Sequence, residues 1–186
     1  ALSVVTEVMV RPGLMSWDSL YQWLQMSSGN INDVHPAFHT LMNGVITRVW
    51  PSPGAVALFQ VFWLSLTAGW GFYLLRKERI PTRLITLIWI LFILYPVNQV
   101  FVITLWKDIP YSIVLLALSL LLLQVSLSEG ESLRRPYIWL LLGLLSALAA
   151  LLRHNGAPIL GLLLLLIVLY PAQARKTSYA LALALA

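Results

Sequence analysis

Cysteine is absent from this 186-residue chain, and charge is scarce, with Asp, Glu, Lys and Arg making up 10% of it. The first absence excludes a disulfide scaffold, a thiol nucleophile and a thiolate metal site. The second excludes a soluble globule, because soluble domains carry about 25% charged residues to cover their surface. Disorder is excluded as well, since disordered segments are poor in apolar residues and rich in charge. A glycine-rich phosphate loop, a Gly-x-Ser-x-Gly elbow and a His-Glu-x-x-His zinc signature are all missing. What the chain has instead is 60% hydrophobic residues and a mean hydropathy of +0.84. The class that remains is an integral membrane protein.

Apolar runs long enough to approach the ~20 helical residues that span a bilayer lie at Gly54–Leu75, Leu84–Ile103, Pro110–Leu127, Tyr137–Leu152 and Ala157–Tyr170. A sixth run begins near Tyr179 and stops at Ala186. The expected fold is all-α: a multi-pass transmembrane helical bundle over 53–186, with about five complete spans and a truncated sixth. The first residue is Ala, with no basic stretch, short apolar core and cleavage site behind it, so no signal peptide is expected. With the sixth span incomplete, the chain reads as a piece of a longer protein, cut at both ends.

Twelve Lys and Arg against seven Asp and Glu give a net charge of +5. Arg76, Lys77, Arg79 and Arg83 share one loop, Arg134 and Arg135 the next alternate loop, and Arg175 with Lys176 the one after. Cytoplasmic loops collect Lys and Arg, so this alternation predicts those loops inside and 1–52, the Trp106–Ile109 loop and the Arg153–Gly156 loop outside. The positive charge is therefore read as a topology signal, and no nucleic-acid partner is expected.

The outward segment 1–52 is too polar to span yet is patterned. Trp17, Leu20, Tyr21 and Leu24 recur at helical spacing, with Asp18, Gln22 and Gln25 on another face. Ser27–Asp33 is a turn-rich break. Pro36 opens a second helix with the stripe Phe38, Leu41, Met42, Val45, Ile46 and Val49 and the polar line His35, His39, Asn43. Two amphipathic helices flanked by Trp predict elements lying in the membrane interface.

Each polar cluster has a plain reading beside a chemical one. Asp18 stands in a first helical turn, where an acid suits the helix dipole, or serves as a general base or metal ligand. His35 and His39 have the spacing of two ligands on one helix face, but two His rarely make a metal site, so a polar face or substrate contact is the better reading. Lys107 and Asp108 are snorkelling and capping residues or an ionisable pair at the membrane edge. Arg153-His-Asn-Gly156 is a tight turn, with Gly156 left-handed and Pro158 starting the next helix, or an anion clamp. Gln60, Asn98, Gln99 and Gln124 read as interhelical hydrogen-bonding groups, and Pro96 as a kink.

Taken in order, Trp17-Asp18, Asn32-Asp-Val-His-Pro-Ala-Phe-His-Thr40, Trp106-Lys-Asp-Ile-Pro-Tyr-Ser112 and Arg153-His-Asn-Gly156 resemble the GT-C superfamily of membrane glycosyltransferases. Its members include protein O-mannosyltransferases and the lipid A aminoarabinose transferase. The resemblance runs over about residues 11 to 175. It implies transfer of a sugar from a polyprenyl-phosphate carrier to an envelope glycan, lipid or protein acceptor, on the extracytoplasmic face of the cytoplasmic membrane. Asp18 is then the catalytic base, and Lys107 and Arg153 bind the lipid phosphate. Asp108 orients Lys107 or holds the acceptor, and His35 and His39 line the sugar pocket. Gln22 beside Asp18 and His154 beside Arg153 complete the candidate substrate-binding set. The paired Asp-Glu common at the acidic position is missing, Ser19 following Asp18, so a single base without a resident metal is expected. Two other classes fit the same composition: a transporter or flippase for a lipid-linked or anionic solute, and a non-catalytic membrane subunit. Charges placed at the outer edge rather than at mid-membrane favour the transferase.

Overall fold

A computed structural model describes residues 13–170, and among these the chain is helical without a β-strand. The run near Tyr179 and the Arg175–Lys176 pair lie outside the described residues. The helices are α1 (Trp17–Ser28), α2 (Ala37–Val49), α3 (Pro53–Lys77), α4 (Thr82–Leu94), α5 (Pro96–Phe101), α6 (Asp108–Leu127), α7 (Pro136–Leu152) and α8 (Gly161–Leu169). Two 3₁₀ turns, Glu131–Arg134 and His154–Leu160, precede α7 and α8. Two of these helices, α3 and α6, are long and apolar enough to cross a membrane. Packing divides the chain at Pro110 into two compact units. Residues 13–52 fall in the same unit as α3 to α5.

In the first unit the helix ends follow local chemistry. Ser16 caps α1, its Oγ accepting from the Ser19 amide, and Gly29 ends the helix in the left-handed conformation at φ 74°. Asp33 caps α2 by accepting from the Ala37 amide at 3.1 Å. Ser52 accepts from the Gly54 amide, and Pro53 takes the first turn of α3.

The two short helices pack with their polar sides inward. Ser19, Gln22 and Gln25 of α1 and His39, Thr40, Asn43 and Thr47 of α2 are buried, whereas Trp17, Leu24, Val45 and Val49 are exposed. Water favours the reverse arrangement. In hydrocarbon the order inverts, because unsatisfied polar groups are costly there and apolar side chains cost nothing.

Beneath them lies a small core of Val56, Ala57 and Val61 from α3 with Val102, Ile103 and Leu105. The loop after α5 is fastened to this core by its backbone. The Leu14 amide donates to the Ile103 carbonyl at 3.1 Å, and the Leu105 amide donates to Leu14 at 2.9 Å. Gln60, fully buried on α3, donates to the carbonyls of Val102 and Thr104 at 2.8 and 3.0 Å. Gln60 thus serves a loop rather than a neighbouring span.

The run Leu84–Ile103, expected as one span, is broken. Pro96 has no amide hydrogen and excludes helical backbone from the residue before it, so Tyr95 is extended at ψ 115° and α4 ends at Leu94. Thirteen residues of α4 reach only about 20 Å, short of a ~30 Å hydrocarbon core. Asn98 donates to Phe92 O at 3.0 Å and Gln99 to Ile93 O. The two side chains expected to link helices therefore satisfy carbonyls that the break releases.

In the second unit, Leu133, Ile138, Trp139, Leu142, Ala149 and Leu152 are buried, and Trp139 donates through Nε1 to the Leu133 carbonyl at 2.7 Å. The run Ala157–Tyr170 is also not a single helix: the 3₁₀ turn from His154 includes Pro158, and α8 starts only at Gly161. Gly156 is not left-handed. A Cβ there would meet the backbone of Ala149 and would stand 3.1 Å from the Cα of Ala150. The glycine is required by close approach to α7, not by its own dihedral angle.

Candidate functional site

The inward rows of α1 and α2 place Gln22 against His39 in a buried seam. His39 Nδ1 lies 3.1 Å from Gln22 Oε1, and His39 Nε2 lies 3.5 Å from Asn43 Nδ2. An amide oxygen only accepts and an amide nitrogen only donates, so in this orientation of the two amides the neutral His39 ring carries its proton on Nδ1. Burial, then the positive charge of Lys107 and the proximity of His35, pull its pKa from 6.5 down to about 4.

One helical turn away, His35 meets the loop. Lys107 Nζ lies 3.0 Å from His35 Nδ1, a contact between residues 72 apart in sequence. The ammonium can only donate, so Nδ1 accepts and the ring proton sits on Nε2. The ring of Tyr21 stands edge-on to His35 at 5.9 Å. Lys107 is held in this place by the loop it ends. Trp106 donates through Nε1 to Ser16 Oγ at 2.6 Å, and Ser19 Oγ donates to the Leu105 carbonyl at 2.8 Å. Asp108 follows in the first turn of α6, where an acid suits the helix dipole.

The structure thus brings together Gln22, His35, His39 and Lys107, with Tyr21 and Asn43 added. Asp18 stands apart from this cluster's hydrogen bonds. The inward row runs through Ser19, Gln22 and Gln25, and Asp18 is exposed beside it. Arg153 and His154 belong to the second unit, where the Arg153 guanidinium lies 5.5 Å from the centre of the Tyr111 ring and His154 is exposed. Among the described residues, no group of three or more His, Asp or Glu side chains is placed to hold a metal ion. Tyr21 was hidden in the sequence as a member of an apolar stripe. The signal for the Ser16–Trp106 tether was weaker still, since neither residue belongs to a periodic pattern.

The seam has a consequence for pH. The folded chain holds His39 neutral down to about pH 4, whereas the unfolded chain takes up a proton near 6.5. Stability is therefore full above about pH 6.5 and falls as pH drops toward 4, by about 3 kcal/mol at most. Thermal unfolding in detergent from pH 8 to pH 4 measures this slope, and His39→Gln is expected to flatten it.

No family model, curated protein or solved structure matches the chain.

Proposed function

We propose that this protein transfers a sugar from a polyprenyl-phosphate carrier to an acceptor hydroxyl at the outer face of the cytoplasmic membrane, as a multi-pass membrane glycosyltransferase. The observation that supports the reading is the Lys107–His35 contact. It joins the Trp-Lys-Asp loop to the His-Pro helix, the two most specific strings of the GT-C resemblance. The contact leaves a lysine cation beside neutral, hydrogen-bonding side chains, a combination suited to a phosphate next to a sugar.

In the proposed reaction Asp18 takes the proton of the acceptor hydroxyl, and the hydroxyl oxygen forms a bond to the anomeric carbon. The bond between that carbon and the phosphate oxygen breaks, and the lipid phosphate leaves with the electron pair. Lys107 stabilises the charge it gains. His35 hydrogen-bonds the sugar, the buried His39–Gln22 pair holds the seam behind it, and Asp108 keeps Lys107 in register. The outward apolar faces of α1 and α2 rest in the bilayer interface and bring the cluster to headgroup depth.

The test is transfer of labelled sugar from a polyprenyl-phosphate donor by the full-length protein in membranes. Asp18→Asn is expected to lower the rate by about 100-fold at unchanged expression, near the lower end for loss of a general base. The low end applies because Asp18 is exposed and water takes over part of its role. Near-normal transfer by this variant removes Asp18 from the base role, and no transfer by the wild-type protein removes the proposal.

A further inference from the structure

We propose that the cleft between α1 and α2 is a binding site for one anionic phospholipid, separate from the Lys107–His35 cluster and independent of sugar transfer. The cleft has a volume of about 450 Å³ and is walled by Met26, Ile31, Leu41 and Val45, with Thr40 inside and Arg48 at its edge. Gly44 lines it beside Met26, whose Cγ lies 3.4 Å from where a Cβ would stand.

Three features of the cleft select the occupant. Its apolar walls run out onto an exposed surface, Leu41 being 53% and Val45 62% exposed, which fits a hydrocarbon chain entering from the side. Thr40 is 1% exposed, and its hydroxyl has no hydrogen-bond partner. Buried polar groups are ordinarily paired, so this hydroxyl has capacity for a ligand oxygen. Arg48 is exposed in the last turn of α2 and forms no ion pair among the described residues. A guanidinium presents a fork of donors that matches phosphate oxygens, and it is weakly hydrated. A cation at the mouth of an apolar cleft is complementary to an anion on an apolar tail. A lipid without a competing headgroup ammonium leaves that phosphate free for Arg48. Trp50, 42% exposed two residues on, is the amphipathic ring found at headgroup level.

The experiment uses the full-length protein in dodecyl maltoside, titrated with phosphatidylglycerol, phosphatidylcholine or inorganic phosphate. Lipid retention is read by native mass spectrometry, and the unfolding midpoint by thermal melting. Phosphatidylglycerol is expected to bind one molecule per chain and to raise the midpoint, with phosphatidylcholine and phosphate at least about tenfold weaker. Arg48→Ala is expected to cost about tenfold in phosphatidylglycerol affinity, as loss of a charge-assisted hydrogen bond does. Its unfolding without lipid stays as in the wild type, because Arg48 is exposed. Arg76→Ala, which removes a cation from another loop, leaves lipid affinity unchanged. Equal binding of phosphatidylcholine, equal binding of phosphate alone, or wild-type affinity in Arg48→Ala overturns the proposal.

Discussion

Lys107→Met is expected to lower sugar transfer by about 10²–10³-fold, the cost of removing one preorganised group that meets developing charge. Methionine keeps the length and the apolar stem of lysine, so packing is preserved and only the ammonium is lost. The loop itself does not depend on that ammonium. It is fixed by Gln60 on the Val102 and Thr104 carbonyls, by Ser19 on the Leu105 carbonyl and by Trp106 on Ser16. The variant is therefore expected to insert and melt as the wild type does. The same substitution removes a positive charge that holds the His39 pKa down, so the loss of stability on acidification still begins near pH 6.5 but is expected to be smaller and to level off at a slightly higher pH. A variant with wild-type transfer and only this shift in its pH profile makes Lys107 a structural partner of His35 and nothing more. Loss of transfer with the loop intact, read from unchanged melting at pH 8, places the ammonium on the donor phosphate.

Gly156→Ala is expected to cost the second unit about 3 kcal/mol, at the upper end for overpacking. The added Cβ would meet the Ala149 carbonyl group, 2.8 Å from its carbon, and would stand 3.1 Å from the Cα of Ala150. These are backbone atoms inside α7, and no rotamer change moves them aside. Relief requires the 3₁₀ turn from His154 to lift from the helix, carrying with it the backbone that follows Arg153. Gly161→Ala is the matched control. That glycine has αR backbone at φ −61° and ψ −23°, and nothing lies within 4 Å of its added Cβ. The substitution there is expected to be neutral or to stabilise by about 0.5 kcal/mol through the entropy of the unfolded chain. Chemical unfolding of both variants in one detergent compares them directly, and equal stabilities discard the close-approach argument.

Much of the architecture is legible in composition and spacing. The long runs that became α3 and α6 stand out because they run for a span's length without a charged residue, and Pro36, Pro53 and Gly29 mark helix ends by rules that act within a few residues. Pro96 is legible as a disturbance. Whether it would bend a span or end it depends on which groups satisfy the freed carbonyls, and Asn98 and Gln99 do so locally. The fifth run shows the same limit: leucine content does not disclose that Gly156 and Pro158 draw the backbone into a 3₁₀ turn against α7.

For the candidate site the division is sharper. His35, His39, Gln22 and Lys107 can all be singled out from residue type and helical spacing. The sequence does not reveal that Lys107 reaches His35 across 72 residues, because that contact depends on a loop tethered through backbone carbonyls, which carry no side-chain signature. Nor does it reveal that Ser19, rather than Asp18, continues the row of Gln22 and Gln25, since neighbours 100° apart on a helix share a face on paper. By itself the sequence determined what is scarce: no cysteine, little charge, and cations gathered in alternate loops. Those properties are sums over residues and need no coordinates. The tertiary structure decided which polar side chains turn inward, because packing chooses one face of each helix and one partner for each buried group.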